Sequence, residues 1–158
     1  MLMRTMLAVG MVALLVRSAF ADVSVEVKAL EDAFARACQA GDVEAVVGLY
    51  TDDASVIWPG QGEEAKGKAG ITKLATGLCK ETKGLKLTVK SLDAKSLGTD
   101  HIAVIGHWEI SSLGPDGRTN VAEMRATEVL RRSGGKLLYL IDHGSIGVPP
   151  PAGTAPGH

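Results

Sequence analysis

Histidine and carboxylate side chains in the second half of the chain are the residues best suited to proton transfer. His143 is the strongest single candidate, because an unperturbed imidazole titrates near pH ~6.5. On two neighbouring predicted strands, His107 and Glu109 share one face and Arg125 lies on a face of the next. If these faces point inward, His143 has Glu109 or His107 as its acid–base partner, and Arg125 stabilises developing charge.

The same residues also fit an interpretation without catalysis. Glu109, Glu123 and Arg125 can form cross-strand ion pairs on a solvated face, each worth roughly a few tenths of a kcal/mol. His143 would then only close the sheet through a hydrogen bond. Because alternation along a strand does not say which face is interior, both interpretations stay open.

Four further residues, Trp58, Tyr50, Tyr139 and Thr127, are candidates for binding a ligand. Trp58 ends a predicted strand, where its ring can stack on a flat ligand or fill the core. Tyr50 can donate a hydrogen bond to a carbonyl oxygen, although a tyrosine at the end of a short helix more often packs. Tyr139 and Thr127 share strand faces with the proton-transfer candidates and belong to the ligand set only if those faces point inward.

The residue spacing predicts no metal site and no cofactor. His101 lies at a predicted turn and His158 in the C-terminal tail, which leaves too few histidines to converge on a metal. Asp52 and Asp53 stand at the predicted end of a helix, where capping and turn formation account for them.

The composition excludes several classes of protein. The chain has 158 residues, 46% of them hydrophobic and 22% charged, which fits one globular domain rather than a multidomain or disordered protein. Its 17 basic residues are scattered among 18 acidic ones, and only 4% of residues are aromatic. We therefore expect no nucleic-acid partner, since neither a basic patch nor a stacking platform is present.

Residues 1–21 have the pattern of an export signal. Arg4 precedes an unbroken apolar and small run over Met6–Val16, and Ala19 and Ala21 offer small residues for cleavage after Ala21. As a helix this run spans roughly 16 Å, too short for a bilayer core of roughly 30 Å. We expect a periplasmic or secreted protein that is not held at a membrane after cleavage.

Cys38 and Cys79 are the two cysteines. An even count in a compartment that permits disulfides favours a bridge, which would close a loop of roughly 40 residues. Each cysteine also lies at the predicted end of a helix among apolar neighbours, so two buried free thiols are the alternative.

The order of the predicted elements indicates an α+β fold. Apolar residues at steps of three and four predict a first helix over Val23–Gln39, and short glycine-containing connections predict antiparallel neighbours among the long strands. One domain over residues 22–148 and a mobile Pro- and Gly-rich tail over 149–158 are expected. The other predicted elements are a short helix from Asp42 to Tyr50, a strand over 54–58, a loop over 59–67, a helix over 68–80, and strands over 85–97, 101–113, 118–132 and 136–147.

Several short motifs occur in an order that resembles a known family. Ala40-Gly41-Asp42, Leu49-Tyr50-Thr51-Asp52-Asp53-Ala54, His107-Trp108-Glu109 and Ile141-Asp142-His143-Gly144-Ser145 together are similar to the SnoaL-like and ketosteroid-isomerase-like group of the nuclear transport factor two-like superfamily. The resemblance implies a cone in which a strongly curved, mainly antiparallel sheet wraps around the N-terminal helices. It also implies an apolar pocket on the side that carries His143, and a homodimer formed through the sheet's other face.

The resemblance covers several functions, so fold does not settle activity. The family's steroid enzymes carry a tyrosine on the first helix, where this chain has Phe34 and no tyrosine, which disfavours a steroid isomerase. Three hypotheses stay open. The chain is a secreted domain that binds a small apolar ligand in its cone, or an isomerase, cyclase or dehydratase using His143, or an oligomerisation module without a working pocket.

Overall fold

The computed structural model describes residues 23–59 and 64–147. The predicted signal peptide, the middle of the predicted 59–67 loop and the C-terminal tail lie outside these ranges, and the predicted domain boundaries stay predictions. None of the described helices is long and apolar enough to cross a bilayer. The helices are α1 over residues 23–39, α2 Val43–Gly48 and α3 Gly67–Ala75, which continues as a π-helical segment, π1, Thr76–Glu81.

Six strands form one curved sheet in the order β2-β1-β6-β5-β4-β3. β1 and β6 pair in parallel and the other neighbours are antiparallel, so the mixed α+β architecture expected from the sequence is confirmed. The strands are β1 Tyr50–Ile57, β2 Glu64–Lys66, β3 Lys86–Ser96, β4 His101–Leu113, β5 Thr119–Ser133 and β6 Lys136–Ile146.

The sequence prediction was wrong about where the first strand starts. Tyr50, Asp52 and Asp53 lie in β1 rather than at the end of a helix and in a turn. Pairing across the sheet decides this, because Tyr139 N donates to Leu49 O at 2.9 Å and draws the chain into the ladder as soon as α2 ends. Asp53 is then held by two hydrogen bonds from the Arg131 guanidinium. The short strand β2 was also missed, since three residues are too few for alternation to show.

Helix α1 packs its apolar stripe into the core. Val27, Leu30, Phe34 and Cys38 are buried at spacings of three and four residues, as an amphipathic helix requires. Phe34 makes edge-to-face contacts with the rings of Trp58, Trp108 and Tyr139, at centroid distances of 5.7 to 6.2 Å. The helix thereby packs against β4, β6 and the residue that follows β1.

The structure joins Cys38 and Cys79 by a disulfide bond. Both cysteines are buried, and the bond ties the C-terminal part of α1 to π1. Gly41 lies between α1 and α2 with a φ of +69°, a left-handed conformation that glycine adopts at little cost. The Asp42 side chain then accepts a hydrogen bond from Ala45 N at 2.9 Å and caps α2, as the sequence predicts.

Candidate functional site

A cavity of about 710 Å³ lies between α1, the inner face of the sheet and the α3–π1 segment. Its walls are mostly apolar and aromatic, a composition typical of small-molecule sites. Lining side chains include Phe34, Trp58, Leu78, Trp108, Met124 and Ile146. The interior is therefore not filled by side chains, and a compound of a few fused rings fits the available space.

Three buried carboxyl groups from three different elements line this cavity. Glu31 comes from α1, Glu128 from β5 and Asp142 from β6, and their exposed fractions are 0%, 3% and 7%. Glu128 and Asp142 are direct cross-strand partners in the β5–β6 ladder. Acidic residues are rarely buried to this extent without a partner, so the cluster marks a candidate site.

Aromatic hydrogen-bond donors hold two of the three carboxyls. The Tyr139 hydroxyl donates to Glu31 Oε2 at 2.7 Å. The Tyr50 hydroxyl and Trp58 Nε1 both donate to Asp142 Oδ2, at 2.6 and 2.7 Å. The two tyrosine rings stack with centroids 4.8 Å apart, so the donors to Glu31 and Asp142 form one packed unit.

Two carboxyl oxygens in the cluster lack a hydroxyl or nitrogen donor. Glu31 Oε1 and Glu128 Oε2 are buried, and no hydroxyl, amide or other nitrogen group of the described residues donates to them. The two carboxyls hydrogen-bond to each other, with Glu128 as the donor that favours the Glu31 anion. Burying a polar atom without a partner costs roughly 1–3 kcal/mol. Such an arrangement is typical of functional sites rather than of structural ones.

Burial shifts the acidity of all three groups. It raises the pKa of Glu31 from 4.5 to about 7, while the Glu128 carboxyl and the Tyr139 hydroxyl partly oppose the rise. Burial, followed by repulsion from Glu31 and Asp142, raises the pKa of Glu128 well above its ordinary value. Burial also raises the pKa of Asp142, against the opposing effect of its donors Trp58 and Tyr50.

Both tyrosines remain neutral donors at physiological pH. Burial and the neighbouring Asp142 raise the pKa of Tyr50 well above 10, and burial and Glu31 do the same for Tyr139. The cluster therefore contains a Glu128 that holds its proton more tightly than an ordinary glutamate, beside a Glu31 with a pKa of about 7. Such a pair can both release and accept a proton.

Comparison with known proteins places the chain in a family. The family model described as SnoaL-like domain matches residues 27–149. The chain belongs to the SnoaL-like domain family. No curated protein matches this sequence.

Solved structures share the fold of this SnoaL-like domain at low sequence identity. A ketosteroid isomerase-like protein from Erwinia carotovora atroseptica has a TM-score of 0.66 at 22% identity, covering 79% of this chain and 96% of that one. A candidate dehydratase of the nuclear transport factor two-like family from Streptomyces avermitilis has a TM-score of 0.71 at 19% identity, covering 80% and 97%. A hexachlorocyclohexane dehydrochlorinase has a TM-score of 0.72 at 17% identity, covering 87% and 96%.

The proton-transfer residues expected from the sequence do not lie in the cavity of the SnoaL-like domain. Exposed side chains on the outer face of the sheet belong to His143, His107, Arg125 and Thr127. Glu109 alternates with the buried Trp108 and pairs instead with Lys90 Nζ at 3.2 Å. The prediction that this set lines the interior beside His143 is therefore wrong.

The β4–β5 register also contradicts the simplest form of the ion-pair interpretation. Glu109 stands directly opposite Glu123, and His107 directly opposite Arg125. Two carboxylates thus face each other directly in this hairpin, and Glu109 forms its salt bridge with Lys90 of β3 instead.

A bulge in β6 is the physical reason why Tyr139 and His143, which strict alternation places on one face of this strand, lie on opposite faces. Val129 pairs with Ile141 but Leu130 pairs with Tyr139, so Leu140 is an extra residue without a partner in β5. Strict alternation puts Tyr139 and Ile141 on one side of the strand. The bulge instead lets Tyr139 point inward while Ile141 is exposed.

The structure does bring three of the predicted ligand residues to the interior. Trp58 and Tyr139 line the cavity, and Tyr50 lies directly behind them in the hydrogen-bond network. The acids that these residues hold were missed, although Glu31 had a readable signal. It lies four residues after Val27 and three before Phe34, on the apolar face of α1.

The described residues contain no group of three or more metal-ligating side chains arranged to hold an ion. The polar groups that the cavity offers for chemistry include carboxyl, hydroxyl and indole groups.

Proposed function

We propose that this SnoaL-like domain binds a small, mostly apolar molecule in its cavity and moves a proton on it. Glu31 acts as the base and Glu128 as the acid in this proposal. The observation that carries it is the pair of buried carboxyls on the cavity wall, which hydrogen-bond to each other and have one oxygen each that receives no hydrogen bond from a hydroxyl or nitrogen group of the described residues. An apolar core of the same size would be more stable, so the pair is best explained by a reaction.

The two carboxyls suit opposite roles. A base works best when its pKa lies near ambient pH, and burial brings the pKa of Glu31 to about 7. Glu128 keeps its proton because burial and the nearby Glu31 raise its pKa well above 4.5. Tyr139 holds Glu31 through its hydroxyl and so fixes the direction of the proposed base.

The proposed step is a proton transfer at carbon. The Glu31 carboxylate takes a proton from a carbon next to a carbonyl or a leaving group, and the electron pair moves toward that group. Glu128 then donates its proton to the oxygen that gains charge. If that oxygen is a leaving hydroxyl, water departs and a double bond forms. If it is a carbonyl oxygen, an enol forms, and an isomerisation is completed when Glu31 returns its proton to a different carbon and Glu128 takes back the hydroxyl proton. Structural relatives named as isomerase-like, dehydratase and dehydrochlorinase support this class, because each of those reactions removes or relocates a proton.

Exchange of carbon-bound hydrogen tests the proposal without the physiological substrate. 1-Tetralone, an apolar two-ring ketone, is incubated with the protein in D2O, and loss of its α-proton signal is followed by NMR. We expect exchange above the buffer rate, and a decrease of about 100-fold or more in Glu31→Gln, since general base catalysis contributes about 10²–10⁴-fold. Glu109→Gln is the matched control and should exchange at the rate of the unmodified protein.

Two results would contradict the catalytic role. Binding of the ketone without exchange would leave a ligand-binding domain and no enzyme. Exchange that is unaffected by Glu31→Gln but lost in His143→Ala would return the chemistry to the outer face.

We also propose that the domain functions after export to the periplasm or outside the cell. The signal pattern over residues 1–21 supports this, as does the Cys38–Cys79 disulfide, because such bonds persist mainly in oxidising compartments. N-terminal sequencing of protein expressed with its full leader should find Asp22 as the first residue. An intact leader on soluble protein would contradict the proposal.

A further inference from the structure

The proposed proton transfer uses Glu31 and Glu128 and leaves a third buried carboxyl unexplained. Asp142 lines the same cavity and, at 7% exposure, is the most accessible of the three acids. Its Oδ2 accepts hydrogen bonds from the Tyr50 hydroxyl and Trp58 Nε1. Burial raises the pKa of Asp142, and these two donors to one oxygen oppose that rise and favour the ionised form of the carboxyl.

The cavity does not supply this anion with a counterion. Of the described residues that line it, Lys73 alone is basic, and Lys73 is exposed on α3. His143 favours the Asp142 anion through its charge, but its ring lies on the opposite face of β6. An ionised carboxylate buried among aromatic rings is costly unless a cation pairs with it.

We infer that the ligand of this cavity carries a protonated amine that pairs with Asp142. This inference rests on the proposed function and names the chemical class of its substrate, an apolar ring compound with an ammonium group. The rings of Phe34, Trp58 and Trp108 enclose the hydrocarbon body, and aromatic faces also attract cations. Asp142 anchors the ligand, while Glu31 and Glu128 handle the proton.

A matched pair of ligands separates charge from shape. Naphthalen-2-ylmethanamine is charged at neutral pH, and naphthalen-2-ylmethanol is its neutral counterpart of nearly equal size. Binding of each is measured by calorimetry and by quenching of tryptophan fluorescence, since Trp58 and Trp108 line the cavity. We expect the unmodified protein to bind the amine at least ten times more tightly than the alcohol.

Variants assign this preference to one carboxyl. Asp142→Asn should bring the ratio of the two affinities close to one, because the amide keeps the size of the side chain and one acceptor for Tyr50 or Trp58. Glu123→Gln, an exposed carboxyl on the outer face, should keep the ratio unchanged. Using a ratio within each variant removes any general loss of fold or binding from the comparison.

Three outcomes overturn the inference. Equal binding of amine and alcohol by the unmodified protein does so and leaves the proposed proton transfer standing. A preference that survives Asp142→Asn shows that another group holds the cation. Failure to bind either compound also overturns it, and the deuterium-exchange assay with Glu31→Gln then decides the proposed function separately.

Discussion

Glu31 is a carboxyl on the apolar face of a helix, and its position makes stability depend on pH. The folded protein holds the Glu31 proton up to about pH 7, whereas an ordinary glutamate releases it near 4.5. Between these values the native state binds more protons than the unfolded state, so the free energy of unfolding falls as pH rises. The contribution is fully present below 4.5 and is lost above 7.

Glu31→Gln should therefore stabilise the protein under mildly basic conditions. The neutral amide has no ionisation cost, so we expect a gain of roughly 3 kcal/mol near pH ~8 at about 1.4 kcal/mol per pKa unit, and little gain near pH ~4.5. Urea denaturation at the two pH values measures it. A gain of equal size at both would show that packing, and not ionisation, causes the effect.

The sequence contains signals for two of the three buried acids. The spacing of Val27, Glu31 and Phe34 places a carboxyl among core residues, and Glu128 lies between Ala126 and Leu130 on one strand face. The second pattern does not tell which strand face is interior, so Glu128 was open to a solvated interpretation. Asp142 could not be assigned, because its face depends on the bulge at Leu140.

Segment π1 forms part of the cavity wall, and its attachment is covalent. Gly77, Leu78 and Glu81 of this segment line the cavity, while Cys79 bonds to Cys38 on α1. A π-helical turn is a rare interruption of an α-helix and often occurs at functional sites. The disulfide thus fixes the position of this part of the cavity wall relative to α1.

Replacing both cysteines should destabilise the fold and loosen this wall. For a loop of 41 residues we expect Cys38→Ala/Cys79→Ala to lose roughly 2–4 kcal/mol of unfolding free energy. Denaturation with and without reductant checks the value, since reductant should weaken the unmodified protein and leave the double variant unchanged. An equal response to reductant in both proteins would contradict the expectation.

Among the elements, the long strands were the most predictable from sequence. Period-two patterns and glycine turns placed β3, β4, β5 and β6 within two residues of their observed bounds. β1 was placed too late because the exposed Asp52 and Asp53 near its start have the residue types of a turn, and pairing with β6 decides the conformation of this segment. Contacts between residues distant in sequence are what local patterns do not contain.

The outer face of the sheet exposes several large apolar side chains. Ile57, Ile105, Val121 and Ile141 are 38–62% exposed on strands whose other face is buried. The like-charged Glu109–Glu123 pair lies beside the His107–Arg125 pair. A second copy related by a two-fold axis can set the acidic pair of one molecule against Arg125 of the other, and so relieve the repulsion between Glu109 and Glu123.

We therefore propose that the domain forms a homodimer through this face. Ile105→Arg/Ile141→Arg should convert it to a monomer, as measured by light scattering coupled to size-exclusion chromatography, because two buried charges would oppose association. Glu44→Lys, at an exposed position of α2, serves as a control because it changes the net charge in the same direction and by the same amount. A monomeric mass for the unmodified protein at tens of micromolar would rule out the dimer.

Residues from opposite ends of the chain meet around the cavity, and this has a consequence for biogenesis. Tyr139 bonds to Glu31 across 108 positions, and β1 finds its parallel neighbour only in β6, the final strand. A ribosome must release nearly the whole polypeptide before the acidic trio can assemble. A chain that ends or is still emerging before β6 consequently lacks the complete trio, which comes together in one late step.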